Sequence, residues 1–385
     1  VECGIRIADF FIPHSTFRNP HLKRLGEPTP SLIIEKSEGS YELRERIWSM
    51  RREVWVVVML IFFVGVAGAV NVENVTYLTD GGLPSWSPDG KSIVYVTDWD
   101  FWTGTWGNIW MININGTGAK RVIHDANVSH FLLSPDNEKI VFYSSGSANF
   151  KTGVWIIDRD NKDKVLMPTP LWIIHSSWSP DGTKLAFVNE SGMWIIDKDG
   201  TGSKKLTASE GYDQYPEWSH DGRKILFSRF LFSGGEPMRD FYGIFTVDIE
   251  TLNVSQIIEP TAGILEAPTW SPDGKKIAYV RDKGAYTDIY TVDSDGTNIK
   301  LLTPYSSSSE YSPSWLPDGK RLIYMGGNRP VTGEITEEKR HASLGGIFVI
   351  DADGTNDTRI VEGESYYKLS PDWKRIAYVS AYLSA

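Results

Sequence analysis

The sequence predicts an all-β fold: a seven-bladed β-propeller of four-stranded antiparallel blades, with six blades as the second choice. Three observations carry this expectation. A tight turn recurs seven times, a second phrase follows six of those turns, and an aromatic residue precedes most of them. The turn reads Ser-Pro-Asp-Gly or a close variant, with its Asp at 89, 136, 181, 221, 273, 318 and 372, spaced by 40 to 54 residues. Self-similarity at this period marks propellers and related repeat architectures. A β-helix would need a much shorter period.

Each unit is read as four strands, A to D. Strand A ends on a bulky residue immediately before the turn: Trp86, Trp178, Trp218, Trp270 and Trp315 in five units, Leu133 and Leu369 in the others. A single four-stranded sheet cannot bury both faces, so the rings are expected to fill the space between neighbouring blades. In the turn, Pro presets φ at the second position, Asp tolerates the third and Gly takes the left-handed last place. Strand B is the alternating apolar run that follows, such as Lys276-Ile277-Ala278-Tyr279-Val280. Strand C is a Gly-Ile-Phe or Asp-Ile-Tyr phrase, and Asp-x-Asp-Gly-Thr turns it into strand D, which often ends in Leu-Thr. The seventh unit has an A–B pair and then only a few residues. Asn74–Thr79 has the Leu-Thr ending of a strand D but precedes the first unit. The expectation is that this N-terminal strand closes the ring on the outer edge of the last blade, leaving that blade one strand short and hiding an edge.

The domain expectation has three parts. Residues 71–385 form one propeller. Residues 50–70, MRREVWVVVMLIFFVGVAGAV, carry two arginines, an uncharged apolar run and Ala67-Gly68-Ala69. These are the three parts of a secretory signal peptide. The run from 54 to 70 is also close to the length of a membrane anchor, its one route to membrane contact. Either way the propeller is expected outside the cytoplasm, secreted, periplasmic or at the cell surface, with the arginines inside. Residues 1–49 are read as an upstream extension of the frame or an unstructured tail, with Met50 as the start.

The formal net charge is −10. That argues against a nucleic-acid footprint. Cys3 is the one cysteine, so no intrachain disulfide and no Cys-based zinc site are expected. The chain lacks a Gly-x-Ser-x-Gly elbow, a His-Glu-x-x-His pair, a P-loop and a dinucleotide fingerprint. The Asp-x-Asp-Gly loops, such as Asp197–Gly200 and Asp351–Gly354, lack the later ligands of a calcium loop, and Asp in such loops caps the turn through its own backbone. No cofactor, metal ligand or catalytic residue is therefore assigned. Among the seven His, His124, His130 and His175 fall in D–A connections and could meet near the axis; chance is the preferred explanation.

The units resemble the WD40-like PD40 repeats of TolB-type propellers over about residues 74–385, on Trp-Ser-Pro-Asp-Gly-Lys-x-Ile-Ala-Tyr and Ile-Tyr-x-x-Asp-x-Asp-Gly-Thr. They are also similar to the propeller domains of prolyl oligopeptidase-like peptidases and tricorn-type proteases. The resemblance implies an extracytoplasmic propeller that acts by binding. It also keeps open a propeller-fold enzyme, such as a polysaccharide lyase or glycoside hydrolase.

Strand direction alternates within a blade, so D–A and B–C connections share one face. Long variable connections on a rigid scaffold are where function concentrates. The ligand-binding candidates are the aromatic and imidazole residues on that face: Trp99, Phe101, Trp102, Trp106, Trp172, His175, Tyr212, Tyr215, Tyr311 and Tyr366. Large rings beside carboxylates suit a peptide, a protein surface or a carbohydrate. The function expected is a monomeric, non-catalytic propeller binding one of these.

Overall fold

A computed structural model describes residues 2–9, 55–56, 76–100 and 105–382, apart from 148, 161–162, 168–174, 209–210, 233–239, 283, 285, 306–307, 328–344 and 363. The fold is an all-β propeller of four-stranded antiparallel units. Unit 4 shows the pattern in full: Tyr212–Trp218, Lys224–Phe232, Asp240–Asp248 and Val254–Ala262 pair in chain order as strands A to D. Units 3, 5 and 6 repeat it from Ser176, Leu265 and Glu310.

The sequence predicts seven separate sheets; the described strands form six hydrogen-bonded sheets. The physical reason lies in the first of them. Unit 1 (strands from Gly82 to Ile123) and unit 2 (strands from Val128 to Leu166) merge into one eight-stranded sheet through a single cross-strand pair, Trp106 with Val128. The last sheet also differs from expectation. Glu364–Leu369 and Arg375–Tyr382 pair as an A–B hairpin, but the strand beside Arg375–Tyr382 is Glu2–Asp9, in register over eight residues. Thr76–Asp80 lies outside it, with Trp55–Val56 at the edge. The strand position that the repeat count leaves open in the last blade is thus occupied by residues from the 1–49 segment. The remainder of 1–49, and the apolar run beyond Val56, lie outside the described residues. Among the described residues no helix is long and apolar enough to cross a membrane.

The turn chemistry follows the sequence closely. In unit 3, Ser179 Oγ donates to Asp181 Oδ1 at 2.6 Å, and Thr183 N donates to the same oxygen at 3.0 Å. Ser179 Oγ in turn accepts from Lys184 N at 2.9 Å, tying the turn to strand B. Gly182 closes it at φ +70°. Trp373 adopts φ +60° at the corresponding place in the last unit, where the other turns carry Gly or Asn. The Asp-x-Asp-Gly-Thr loops are also turns: Thr201 N donates to Asp199 Oδ1 at 2.9 Å, and Thr297 and Thr355 repeat the bond at 3.0 Å.

Strand B is buried on both faces rather than on one. Ile277, Ala278 and Tyr279 are all inaccessible. Alternation here separates two neighbours: Ile277 and Tyr279 pack toward unit 4, Ala278 toward unit 6. The core is accordingly divided into seven hydrophobic clusters among the described residues, each shared by two units. One of them joins Ala377 and Val379 of the last hairpin to Trp86, Ile93 and Tyr95 of the first unit. Each strand-A indole lies in the cluster it shares with the preceding unit, and three also donate across that junction. Trp218 Nε1 bonds Ser177 O at 3.0 Å, Trp315 Nε1 bonds Thr269 O at 3.3 Å, and Trp86 Nε1 bonds Lys368 O at 3.0 Å. Burying a side chain of this size is worth several kcal/mol, about 3–5 by the cost of truncating it to Ala.

Candidate functional site

Strand A lines the axis, and its Trp or Leu gives a common register. Three residues before that position the seven units carry Leu83, His130, His175, Tyr215, Ala267, Ser312 and Tyr366. One residue before it they carry Ser85, Leu132, Ser177, Glu217, Thr269, Ser314 and Lys368. Four units place Pro between these two positions: Pro84, Pro216, Pro268 and Pro313. Proline cannot donate to the ladder, so it sits at a bulge. The register shifts there in all four, and the residue before each Pro has positive φ: Leu83 48°, Tyr215 52°, Ala267 46° and Ser312 49°.

The inner strands of units 2 to 7 converge on one cavity of about 680 Å³. Six of the seven upstream positions line it, from His130 to Tyr366, together with Leu132, Glu217, Thr269, Ser314 and Lys368 from the position nearer the Trp. With Tyr367, two imidazoles, three phenols, a carboxyl group and an ammonium group are gathered from four separate units.

The His175 ring lies 3.9 Å from that of Tyr215, centroid to centroid, tilted by 37°. Its Nδ1 is buried and has no hydrogen-bond partner among the described residues. Desolvation, then the neighbouring His130, lowers the His175 pKa to about 4, so the ring is neutral at pH 7. His130 is open to the cavity but enclosed by the surrounding strands; desolvation and the Lys368 cation shift it in the same direction. Glu217 Oε1 accepts from Thr269 Oγ1 and from Trp270 N, both at 3.0 Å. Burial outweighs these bonds and pushes its carboxyl up to about 7. Tyr215 is raised to about 12 by burial and by Glu266, whose own carboxyl is raised by burial. The Lys368 ammonium stands 5.7 Å from the Tyr366 ring centroid.

Of the candidates named from the sequence, His175, Tyr215 and Tyr366 line the cavity. Tyr212 and Tyr311 are both 45% exposed and do not line it; Tyr212 stacks on Phe230 at 6.2 Å. Trp99 and Trp106 are backbone partners across the B–C hairpin of unit 1. Phe101, Trp102 and Trp172 lie outside the described residues. His130 does meet His175 at the axis, whereas His124 is an exposed residue beside Asp125. Glu217 and Lys368 escape a reading of the sequence alone. Their signal is nonetheless present: both stand one residue before the strand-A landmark. Among the described residues no group of three or more His, Cys, Asp or Glu is arranged to hold a metal ion.

The family profile described as "PD40: TolB beta propeller domain" matches residues 193–335. The Tol-Pal system protein TolB of Francisella tularensis subsp. holarctica (strain OSU18) is 36% identical over 117 residues, 28% of this chain and 25% of that protein. A protein TolB homolog of Chlorobium luteolum is 26% identical over 168 residues, covering 42% of this chain and 35% of its own. The chain thus spans between a quarter and about a third of these relatives. Among solved structures, Kuenenia stuttgartiensis hydrazine synthase aligns with TM-score 0.54 at 16% identity, over 78% of this chain and 92% of that one. The β-propeller domain of the Trilobed protease from Pyrococcus furiosus gives 0.51 at 16% identity, over 75% and 85%. An oligogalacturonate lyase in complex with manganese gives 0.51 at 17%, over 66% and 79%. At such identities these likenesses concern the fold alone. The chain is an all-β propeller whose repeats over residues 193–335 are similar to the PD40 TolB beta propeller domain.

Proposed function

We propose that this chain is an exported, non-catalytic propeller that binds a peptide segment of a partner protein in its axial cavity. The observation that carries the reading is the convergence of His130, His175, Tyr215 and Tyr366 from four units on one cavity of about 680 Å³. Rings supply contact area at low rotamer cost, and concave sites with a few polar groups are the usual form of a ligand pocket. The sequence relatives named for the Tol-Pal system suit a partner that is a protein. Export rests on residues 50–70 and their signal-peptide pattern.

The same reading takes the ring to have seven packing units closed between last and first. Support comes from the Trp86–Lys368 bond, which repeats the bonds at two internal junctions, and from the cluster joining Ala377 and Val379 to Trp86. The eight-stranded sheet then counts as two units.

Panning a displayed random-peptide library on the full chain tests the binding function. Enriched peptides should bind the wild type and lose at least tenfold in affinity to Tyr215→Ala or Tyr366→Ala. Enrichment unaffected by either variant would overturn it.

A carbohydrate-cleaving enzyme is the second reading, favoured by Glu217 poised near pH 7 beside a neutral imidazole pair. Turnover of an acidic oligosaccharide, lost in Glu217→Gln, would establish it in place of the first.

A further inference from the structure

We propose that the axial cavity is a carboxylate site, and that the group it takes is an acidic side chain of the bound peptide; this rests on the peptide-binding reading above. The argument begins with charge. Lys368 is the one cation among the described residues that line the cavity, and it forms no salt bridge among the described residues. Its ammonium lies instead near the face of Tyr366. A cationic ligand would be repelled by it, and an anionic one attracted. A monoanion answers one ammonium; a phosphate dianion would carry surplus charge next to Glu217.

The remaining polar groups are donors at neutral pH or become so. His130 and His175 are neutral imidazoles, each with one N–H. The bonds from Thr269 and Trp270 to Glu217 both fall on Oε1, so a proton taken up by this carboxyl sits on Oε2 and can be donated. From the other strands facing the site, the Tyr215 hydroxyl is engaged with Glu266, and the Tyr367 hydroxyl bonds Ser312 O at 2.8 Å and Ile323 O at 3.0 Å. The inner strands of units 5 and 6 line the cavity with Ala, Pro, Ser and Thr and bring no further titratable group.

The cavity therefore holds about one positive charge while Glu217 is protonated and about none once it ionises. With the Glu217 midpoint near 7, the protonated fraction falls about tenfold between pH 6 and pH 8. The imidazoles titrate well below that window. Anion binding should weaken with rising pH, through Glu217 rather than through histidine.

The experiment uses fluorescent N-acetyl tetraglutamate amide, its tetraglutamine isostere and tetragalacturonate on the full chain, at pH 6 and pH 8. Tetraglutamate should bind at least tenfold tighter than tetraglutamine at pH 6 and lose about tenfold by pH 8. Lys368→Met should abolish the preference for the acid, and Glu217→Gln should flatten the pH dependence while keeping the acid preference. Equal binding of the two peptides, or a pH dependence that survives in Glu217→Gln, would overturn the proposal; so would binding of tetragalacturonate without tetraglutamate. Library-selected peptides that bind through Tyr215 but show no acid preference would remove the carboxylate site alone. Absence of any peptide binding would remove the peptide reading as well.

Discussion

At the scale of single residues, Glu217 offers the sharpest prediction. Its folded pKa is raised from the ordinary carboxylate value to about 7. A raised acid contributes stability that is complete below the unfolded pKa and is lost as pH rises through the folded one. Wild type should therefore lose stability between about pH 4.5 and 7 relative to Glu217→Gln, which has no such titration. The thermal-melt difference between the two should grow in favour of the variant by roughly 1–3 kcal/mol from pH 5 to pH 8. A pH-independent difference would contradict the burial argument. The indole bonds give a second residue-level test. Trp218 Nε1 has a carbonyl partner, whereas Trp178 Nε1 is buried without one among the described residues. Trp218→Phe should cost about 1 kcal/mol more than Trp178→Phe in denaturant melts. This scale is also where the sequence is least legible. Glu217 and Lys368 look like ordinary surface charges until strand A is aligned on its Trp. His130 and His175, 45 residues apart, look scattered until that alignment stacks them.

At the scale of elements, the turn is readable because its chemistry is local. Ser, Asp and Gly satisfy one another within a few residues, so the bonds at Ser87, Ser179, Ser219 and Ser271 can be anticipated from the phrase alone. Those hydroxyls are the largest influence holding Asp89, Asp181, Asp221 and Asp273 below the ordinary carboxylate range. A depressed acid stabilises above its unfolded pKa, and that contribution is lost as pH falls through the folded value. Replacing Ser179 and Ser271 together with Ala should shift acid unfolding to higher pH, followed by circular dichroism below pH 5. An unchanged acid midpoint would mean the turns stay formed without their serines. For strand B the sequence shows the right period, but the usual consequence of that period does not hold. Alternation usually separates core from water, and here it separates one neighbouring unit from the other, as Ile277 and Ala278 show.

At the scale of the molecule, Glu2–Asp9 is not legible, since nothing local distinguishes a strand whose partner stands more than 360 residues away. Its eight-residue pairing with Arg375–Tyr382 predicts that deleting residues 1–9 lowers the melting temperature by at least about 3 °C, because it uncovers a strand edge in the sheet that packs against the first unit. An unchanged melt would show that the last hairpin needs no such partner. The sequence names candidates from both the D–A and the B–C connections; of these His175, Tyr215 and Tyr366 line the axial cavity, while Phe101 and Trp102 lie outside the described residues. Sequence shows which residues lack a repeat role, but the residues that face an axis have one and differ only in side chain.

The central claim is that the repeat register brings the inner residues of separate units onto one cavity. Nuclear magnetic resonance of the histidine rings tests it most directly, with His130→Gln and His175→Gln to assign the signals. The account predicts cross-relaxation between the His175 and Tyr215 rings, whose centroids are 3.9 Å apart, and a His175 imidazole that stays neutral down to about pH 5. A His175 ring that titrates near 6.5, with no contact to Tyr215, would contradict it.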